Sequence, residues 1–390
     1  MEETRPGQDA PAADLRDLAA QRFPLVPRTR PACRALDVRA ARVRDLARLA
    51  DQHTSESLVR AAEARNLAAL ITSDCGLPAV ARKLCWRQSR IFLAFGPFNS
   101  ATAKLALQPL VNLGRLLLRD GDGTAAYQLI DELCGAVRSR ADTVIDGSEI
   151  SFTGLTSDAG DHREVVRWLW SVLLADGTRA LTRAGRWPEA LQHAQQHKGI
   201  GQRLLDGRQV AVLAHCAAGD HKTAQSLLAA TSTPTPWEEA VAACMKVLCR
   251  TWAGQPASTA IATMTGRYLS LEPAREHAVF RVRLGLSVLD LAGNGADGAH
   301  RVQQVAETVT RDALGAADAY AAHDALSHAT CLSHTTASRS RALTWLVRAA
   351  GLGLGTMPAD VQDDLMGSVA ASETSIMTAL NEQTRAQQGI

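Results

Sequence analysis

The residues best suited to chemistry in this 390-residue chain are arginines that recur at a fixed distance from glycines. With Gly121, Gly185 and Gly219 taken as equivalent points, Arg115 falls on Arg179 and Arg119 falls on Arg183. Asn112 lies one helical turn ahead of Arg115, and Asp206 and Gln209 stand at neighbouring places ahead of Gly219. Guanidinium and carboxamide groups on one face donate charge-assisted hydrogen bonds, so the expected chemistry is the holding of an anion: an acidic peptide, a carboxylate or a phosphate. The competing reading is a plain solvated face in an Arg-rich protein.

Two histidine clusters have spacings that merit weighing. His193 and His197 are four apart, which suits a metal on one helix face, but no acid completes an H-E-x-x-H motif and the Gln-rich neighbours suggest an exposed polar face. His323, Asp324, His328, Cys331 and His334 form the second cluster, among Thr and Ser. Neither is read as a metal site, and no cofactor is expected. A phosphate loop of the GxxxxGK type is missing, as is a GxSxG elbow. Asp120-Gly121-Asp122-Gly123 starts like a calcium loop, but the ligand series stops there. One catalytic alternative remains: a pocket formed by the 95–100 turn and the 146–163 loop, with Asn99, Asp146, His162 and Arg163 as its polar residues. The balance leans away from an enzyme.

Composition bounds what can position these groups. Hydrophobic residues make up 46%, charged residues 21% and aromatics only 4%, with Ala, Leu and Arg abundant. Such residues lose little side-chain entropy in a helix, whereas strands favour β-branched and aromatic types. The excess of Arg over Lys fits a GC-rich bacterial genome. A formal net charge of +2 is too small for a general nucleic-acid binder, although residues 32–70 are basic and helical. None of the eight cysteines forms a CxxC pair, so they read as buried small apolar residues in a reducing compartment. Met1 to Ala13 lacks the apolar core of an export signal, and no run of 18 apolar residues exists. The expectation is a cytoplasmic protein without a membrane segment.

The elements that carry the arginines repeat. An apolar helix, a glycine-centred turn and a helix opening with Ala recur at Ala184-Gly185-Arg186-Trp187-Pro188-Glu189-Ala190 and Ala218-Gly219-Asp220-His221-Lys222-Thr223-Ala224. Weaker copies surround Gly121 and Gly254. Gly185 to Gly219 spans 34 residues and Gly219 to Gly254 spans 35, while Gly254 to Gly293 is looser at 39. A helix pair cannot bury its apolar face alone, so such units stack. Pro109 is expected to kink or interrupt its helix. Further Gly breaks fall at Gly293, Gly295 and Gly298 and near Gly351 to Gly355.

At the turns with Gly185 and Ala190, and with Gly219 and Ala224 followed by Leu228 and Pro236, the chain resembles the tetratricopeptide repeat (TPR) family. The likeness covers roughly residues 105–265 and departs from the family pattern at Thr178, Leu181, Val212 and His215, which leaves the repeat class open. It implies an all-α fold of antiparallel helix pairs stacked as a TPR-like α-solenoid, with partners along a concave face built from the first helix of each pair. On this reading residues 1–31 are a flexible or extended lead, 32–380 the helical repeat domain and 381–390 a polar tail. The function implied is a protein- or peptide-binding scaffold, adaptor or sensor, with a homo-oligomer left open. The alternatives are a regulator of secondary metabolism, and an unorthodox enzyme or biosynthetic accessory protein.

Overall fold

A computed structural model describes residues 12–293 and 299–388 of the chain. Residues 1–11, with most of the N-terminal stretch read for an export signal, and the expected Gly295 and Gly298 breaks lie outside the described residues. In chain order the helices begin with α1 (Ala12–Arg22), α2 (Leu36–Ala50), α3 (Ser57–Asp74), α4 (Pro78–Leu93), α5 (Ser100–Arg119) and α6 (Gly123–Ser139). A hairpin of β1 (Asp142–Ile145) and β2 (Ser148–Ser151) follows, antiparallel with Asp142 opposite Ser151. Then come α7 (Ala159–Val172), a π-turn at Leu173–Gly177, α8 (Thr178–Arg183), α9 (Trp187–Gln196), α10 (Asp206–Ala217) and α11 (His221–Ala229). The remainder is α12 (Pro236–Trp252), α13 (Ser258–Leu269), α14 (Ala278–Ala292), α15 (Ala299–Ala316), α16 (Ala319–Leu326), α17 (Ala329–Ser333), α18 (Ala337–Ala349) and α19 (Ala359–Gln388). The all-helical class read from composition is what the chain adopts. No described helix is long and apolar enough to cross a membrane.

The recurring turn has one geometry. Gly76, Gly121, Gly185, Gly219 and Gly254 all have positive φ, between 64° and 87°. At Gly219 its own N–H bonds the carbonyl of Cys216 at 3.0 Å, and the next N–H, of Asp220, reaches back to His215 at 2.9 Å. The same pair of bonds closes the helix at each of the other four glycines. This is the left-handed C-terminal cap that a Cβ would strain. Asp122 and Asp220 then cap the helices that follow, accepting from the N–H of Ala125 and Thr223. Five residues after the glycine come Ala81, Ala126, Ala190 and Ala224, each 0% exposed. The Gly76–Ala81 copy is one the spacing did not single out, because 45 residues separate Gly76 from Gly121. Pro109 does not end its helix: α5 runs through it to Arg119.

The chain divides into two compact units, and the division falls inside α8, α16 and α18. One unit comprises Pro31–Ala180, Ala317–His323 and Arg341–Ile390. In it α2 through α6 each pack on the next, α3 also meets α5, and α5 meets α7. The long α19 lies against α2, α3 and α4. Alanines at 61, 62, 64 and 68 are wholly buried on α3, and Leu36, Val43, Leu46 and Ile71 share a core with Met357, Leu365 and Val369. A larger core gathers Phe92, Phe98, Leu107, Leu110, Ile130, Leu133, Leu169, Ile376 and Leu380.

The other unit comprises Met1–Arg30, Leu181–Ala316 and Asp324–Ser340. From α9 to α15 each helix packs on its successor, and α10 meets α12 as α12 meets α14. Val210, Leu213, Val241, Met245, Leu248, Val282, Leu286 and Val309 form its buried interior. In the described part of residues 1–31, read as a flexible or extended lead, α1 packs on α12 and α14, and Phe23 and Leu25 are buried. Apolar side chains at Ala19, Phe23 and Leu25 give this stretch more to bury than its prolines suggested. At the other end α19 continues to Gln388, so the polar tail is helical as far as it is described.

Candidate functional site

Two faces hold the residues singled out by the arginine alignment. The first lies on α3, α5, the π-turn and α8, all within one unit for residues up to Ala180. Asp176 sits in the π-turn with its side chain only 8% exposed, and its carboxylate accepts from Arg115 Nε at 2.9 Å. Arg179 Nη1 stands 3.9 Å from the other carboxylate oxygen. The two arginines aligned by sequence therefore converge on one buried acid. Asn112 continues the row: its Oδ1 accepts from Gln108 at 3.0 Å and its Nδ2 donates to Asn66 Oδ1 at 2.9 Å. Asn112 precedes Gly121 by nine residues and Asp176 precedes Gly185 by nine, so acid and amide occupy equivalent places in successive helix pairs.

The local sequence explains the π-turn. Asp and Gly at 176 and 177 are poor helix-interior residues, and a single π-turn accommodates one extra residue without ending the helix. Arg115 and Arg179 remain partly exposed, at 46% and 39%. The two guanidinium groups and their carboxylate lie beside the Asn66 and Asn112 amides, with Arg115 Nη1 3.4 Å from Asn112 Oδ1. That arrangement can hold an anion.

Arg119, the partner of Arg115 one turn on, serves a different centre. Its Nη1 meets Asp74 Oδ1 at 2.5 Å, and Asp74 Oδ2 takes Arg39 at 2.6 Å and the Tyr320 hydroxyl at 2.7 Å. The Asp74 side chain is 1% exposed. Although burial acts against the charged form of Arg119, Asp74 and Tyr320 raise its pKa above the ordinary arginine value. Gly353 and Gly355 donate to the backbone carbonyls of Asp74 and Cys75 at 2.8 Å each, which fastens this turn to the segment before α19. Arg119 is thereby a tie within its unit.

The second face belongs to the other unit. Gln209 is fully buried and its side chain clasps the backbone of Leu25, while Asp206 pairs with Arg28 at 2.8 Å. Arg183 Nη1 donates to the carbonyl of Gln21 at 3.0 Å. Burial first, then the nearby charges of Arg283 and Arg22, lower the pKa of Arg183. The residues expected to face an outside partner thus contact residues 21–28 of the same chain.

The 95–100 turn and the 146–163 loop do come together. Phe98 bonds Leu155 and Ser157 through backbone groups at 2.9 Å, and Asp161 accepts from the Ser100 N–H at 2.7 Å. Their polar residues nevertheless have separate partners. Asn99 caps α5 by accepting from Thr102, Asp146 binds Trp86 and Arg82, and His162 meets the Arg138 carbonyl. Arg163 is exposed on α7, near Asp158.

The histidines also differ from the polar-face reading. His193 is 2% exposed and its ring lies 4.5 Å from that of His197. His328 caps α17, accepting from the Cys331 N–H through Nδ1, and its Nε2 faces Asp290 at 2.8 Å. Among the described residues no three His, Cys, Asp or Glu side chains gather to hold a metal ion. All eight cysteines are buried.

Sequence reasoning missed Asp176, Asn66, Asp74 and the Leu25 segment. Asp176 was within reach, because its offset from the turn glycine equals that of Asn112. Leu25 was not, since 184 residues separate it from Gln209. Comparison with models of protein families, with curated proteins and with solved structures returns no match.

Proposed function

We propose that this chain is a protein- or peptide-binding helical repeat protein, a TPR-like adaptor or sensor of the cytoplasm, with an acidic peptide as the ligand of its Asn112–Arg115–Arg179 face. The observation that carries this reading is the convergence of Arg115 and Arg179, at the same offset in successive helix pairs, on the buried Asp176. A carboxylate already held there marks the place as one where an anion is stable. The partly exposed guanidinium groups and the row of amides give an incoming Asp or Glu side chain, or a C-terminal carboxylate, charge-assisted donors. The shared left-handed turns and the buried Ala after each of four glycines support the TPR-like stacking.

The test is a fluorescence anisotropy titration of the full chain with a labelled decapeptide of Asp and Glu ending in a free carboxylate. The R115A/R179A double variant is expected to bind at least about tenfold more weakly, since each charged hydrogen bond contributes about 1.5–3 kcal/mol. The affinity should also fall as salt rises from 50 to 300 mM. Equal affinity of the folded double variant and the parent would remove this face from consideration.

A further inference from the structure

A stretch of the chain without regular secondary structure lies across α10. After α1 ends, Phe23, Pro24 and Leu25 are buried, and no helix or strand includes residues 25–30. The Leu25 N–H donates to Gln209 Oε1 at 2.8 Å, and the Leu25 carbonyl accepts from Gln209 Nε2 at 2.8 Å. Gln209 Nε2 also donates to the Leu204 carbonyl at 3.0 Å. Four residues before Leu25, Arg183 donates to the Gln21 carbonyl. Three residues after it, Asp206 Oδ2 takes Arg28 at 2.8 Å, while Asp206 Oδ1 is buried and has no hydrogen-bond partner.

A buried stretch without helix or strand must still pair its backbone groups, and at Leu25 one side chain pairs both. Burying a carboxamide costs free energy unless its groups are paired; Nε2 has the Leu204 carbonyl as well, but the partner of Oε1 is the Leu25 N–H. Gln209 reads a peptide unit in the way a neighbouring strand would, without regard to the side chain. The burial of the Leu25 side chain and the pairing of Asp206 with Arg28 supply the side-chain preference. Pro24 and Pro27 favour an extended backbone in advance, which lowers the entropy lost on docking.

We infer that Gln209 and Asp206 form a peptide-reading site occupied in cis by Leu25–Arg28. In trans, an extended peptide carrying an apolar residue followed three positions later by a basic one displaces this segment. The inference rests on the reading of these helices as peptide-binding. It concerns the other compact unit and a ligand of opposite charge, and uses neither Arg115 nor Arg179.

The experiment titrates a labelled peptide spanning residues 20–30 into the full chain. The wild type is expected to bind it weakly, because the tethered segment competes at an effective concentration on the order of mM. L25D detaches that segment, and affinity for the labelled peptide should rise at least tenfold; L25D/Q209A should lose the gain. An L25D chain with a wild-type circular dichroism spectrum and unchanged affinity overturns the inference. If L25D does not fold, hydrogen exchange on the wild type decides: millimolar peptide should speed exchange at the Leu25 amide, and unaltered exchange overturns the inference. The acidic decapeptide is titrated in parallel. Failure confined to it strikes only the Arg115–Arg179 face, and failure confined to the 20–30 peptide strikes only this site.

Discussion

Asp74 and Glu373 show how buried charge is used in the unit that contains them. Asp74 pairs with both Arg39 and Arg119 and accepts from Tyr320, so removing its charge leaves two cations gathered around a neutral amide. D74N is expected to destabilise by about 3–5 kcal/mol, as when one partner of a buried pair is deleted, which urea unfolding would measure. Glu373 binds Arg87 and the wholly buried Arg65. The hydrogen bond from Arg87 above all, and the charge of Arg65, outweigh burial and hold its carboxyl below the usual glutamate range. A depressed folded-state pKa stabilises fully above the unfolded-chain value of about 4.3 and is lost as pH falls through the lower folded value. E373Q should therefore be less stable than wild type at pH 7 and show a shallower loss between about pH 5 and pH 3. Equal slopes for the two proteins would refute the assignment. The arginines were legible because turn glycines fix their register. Of their acids, Asp176 shares the offset of Asn112 from its turn glycine and was within reach, whereas Glu373 lies on α19, where no aligned turn glycine sets a register.

At the scale of the element, the turn glycines separate backbone strain from collision. A Cβ at Gly219 would meet nothing within 4 Å, so only its φ of +80° opposes a side chain. G219A should cost about 1 kcal/mol. Gly207, in the first turn of α10, does not have a positive φ, yet its Cβ would collide with the Gly199 carbonyl. G207A should cost more, about 3 kcal/mol, because backbone must move. Both sites lie in the same unit, so two thermal melts compare them directly, and a larger loss for G219A would contradict this account. The glycine-to-alanine interval was readable because it encodes a local cap and a local contact. The π-turn was hidden: Asp176-Gly177 inside a helical pattern looks like a simple weakening. Pro109 does not interrupt its helix, since packing of Leu107, Leu110 and Val111 carries α5 past its missing N–H.

For the molecule as a whole, class and interior chemistry were legible and the partition was not. An Ala-, Leu- and Arg-rich composition predicts helices wherever they pack. It cannot say that each compact unit takes three separate stretches of chain. That depends on pairings such as Arg65 with Glu373, which are 308 residues apart. The cysteines follow from composition more simply. All eight are buried, and burial pushes the thiols of Cys85 and Cys244 up to about 12. Native protein should thus react negligibly with a thiol reagent over minutes at pH 8, and the unfolded chain should titrate eight groups. Rapid reaction of several thiols in the native state would contradict the burial.

The seating of α19 on α2, α3 and α4 also bears on biosynthesis. During translation at about 5–20 residues per second, Arg65 would wait about 15–60 s for Glu373 to be made. Throughout that interval the Leu36–Ile71 surface lacks the Leu365 and Val369 side chains that complete its core. Nascent chains stalled before residue 359 should then be cut by protease within α2 and α3, and chains released after residue 388 should resist.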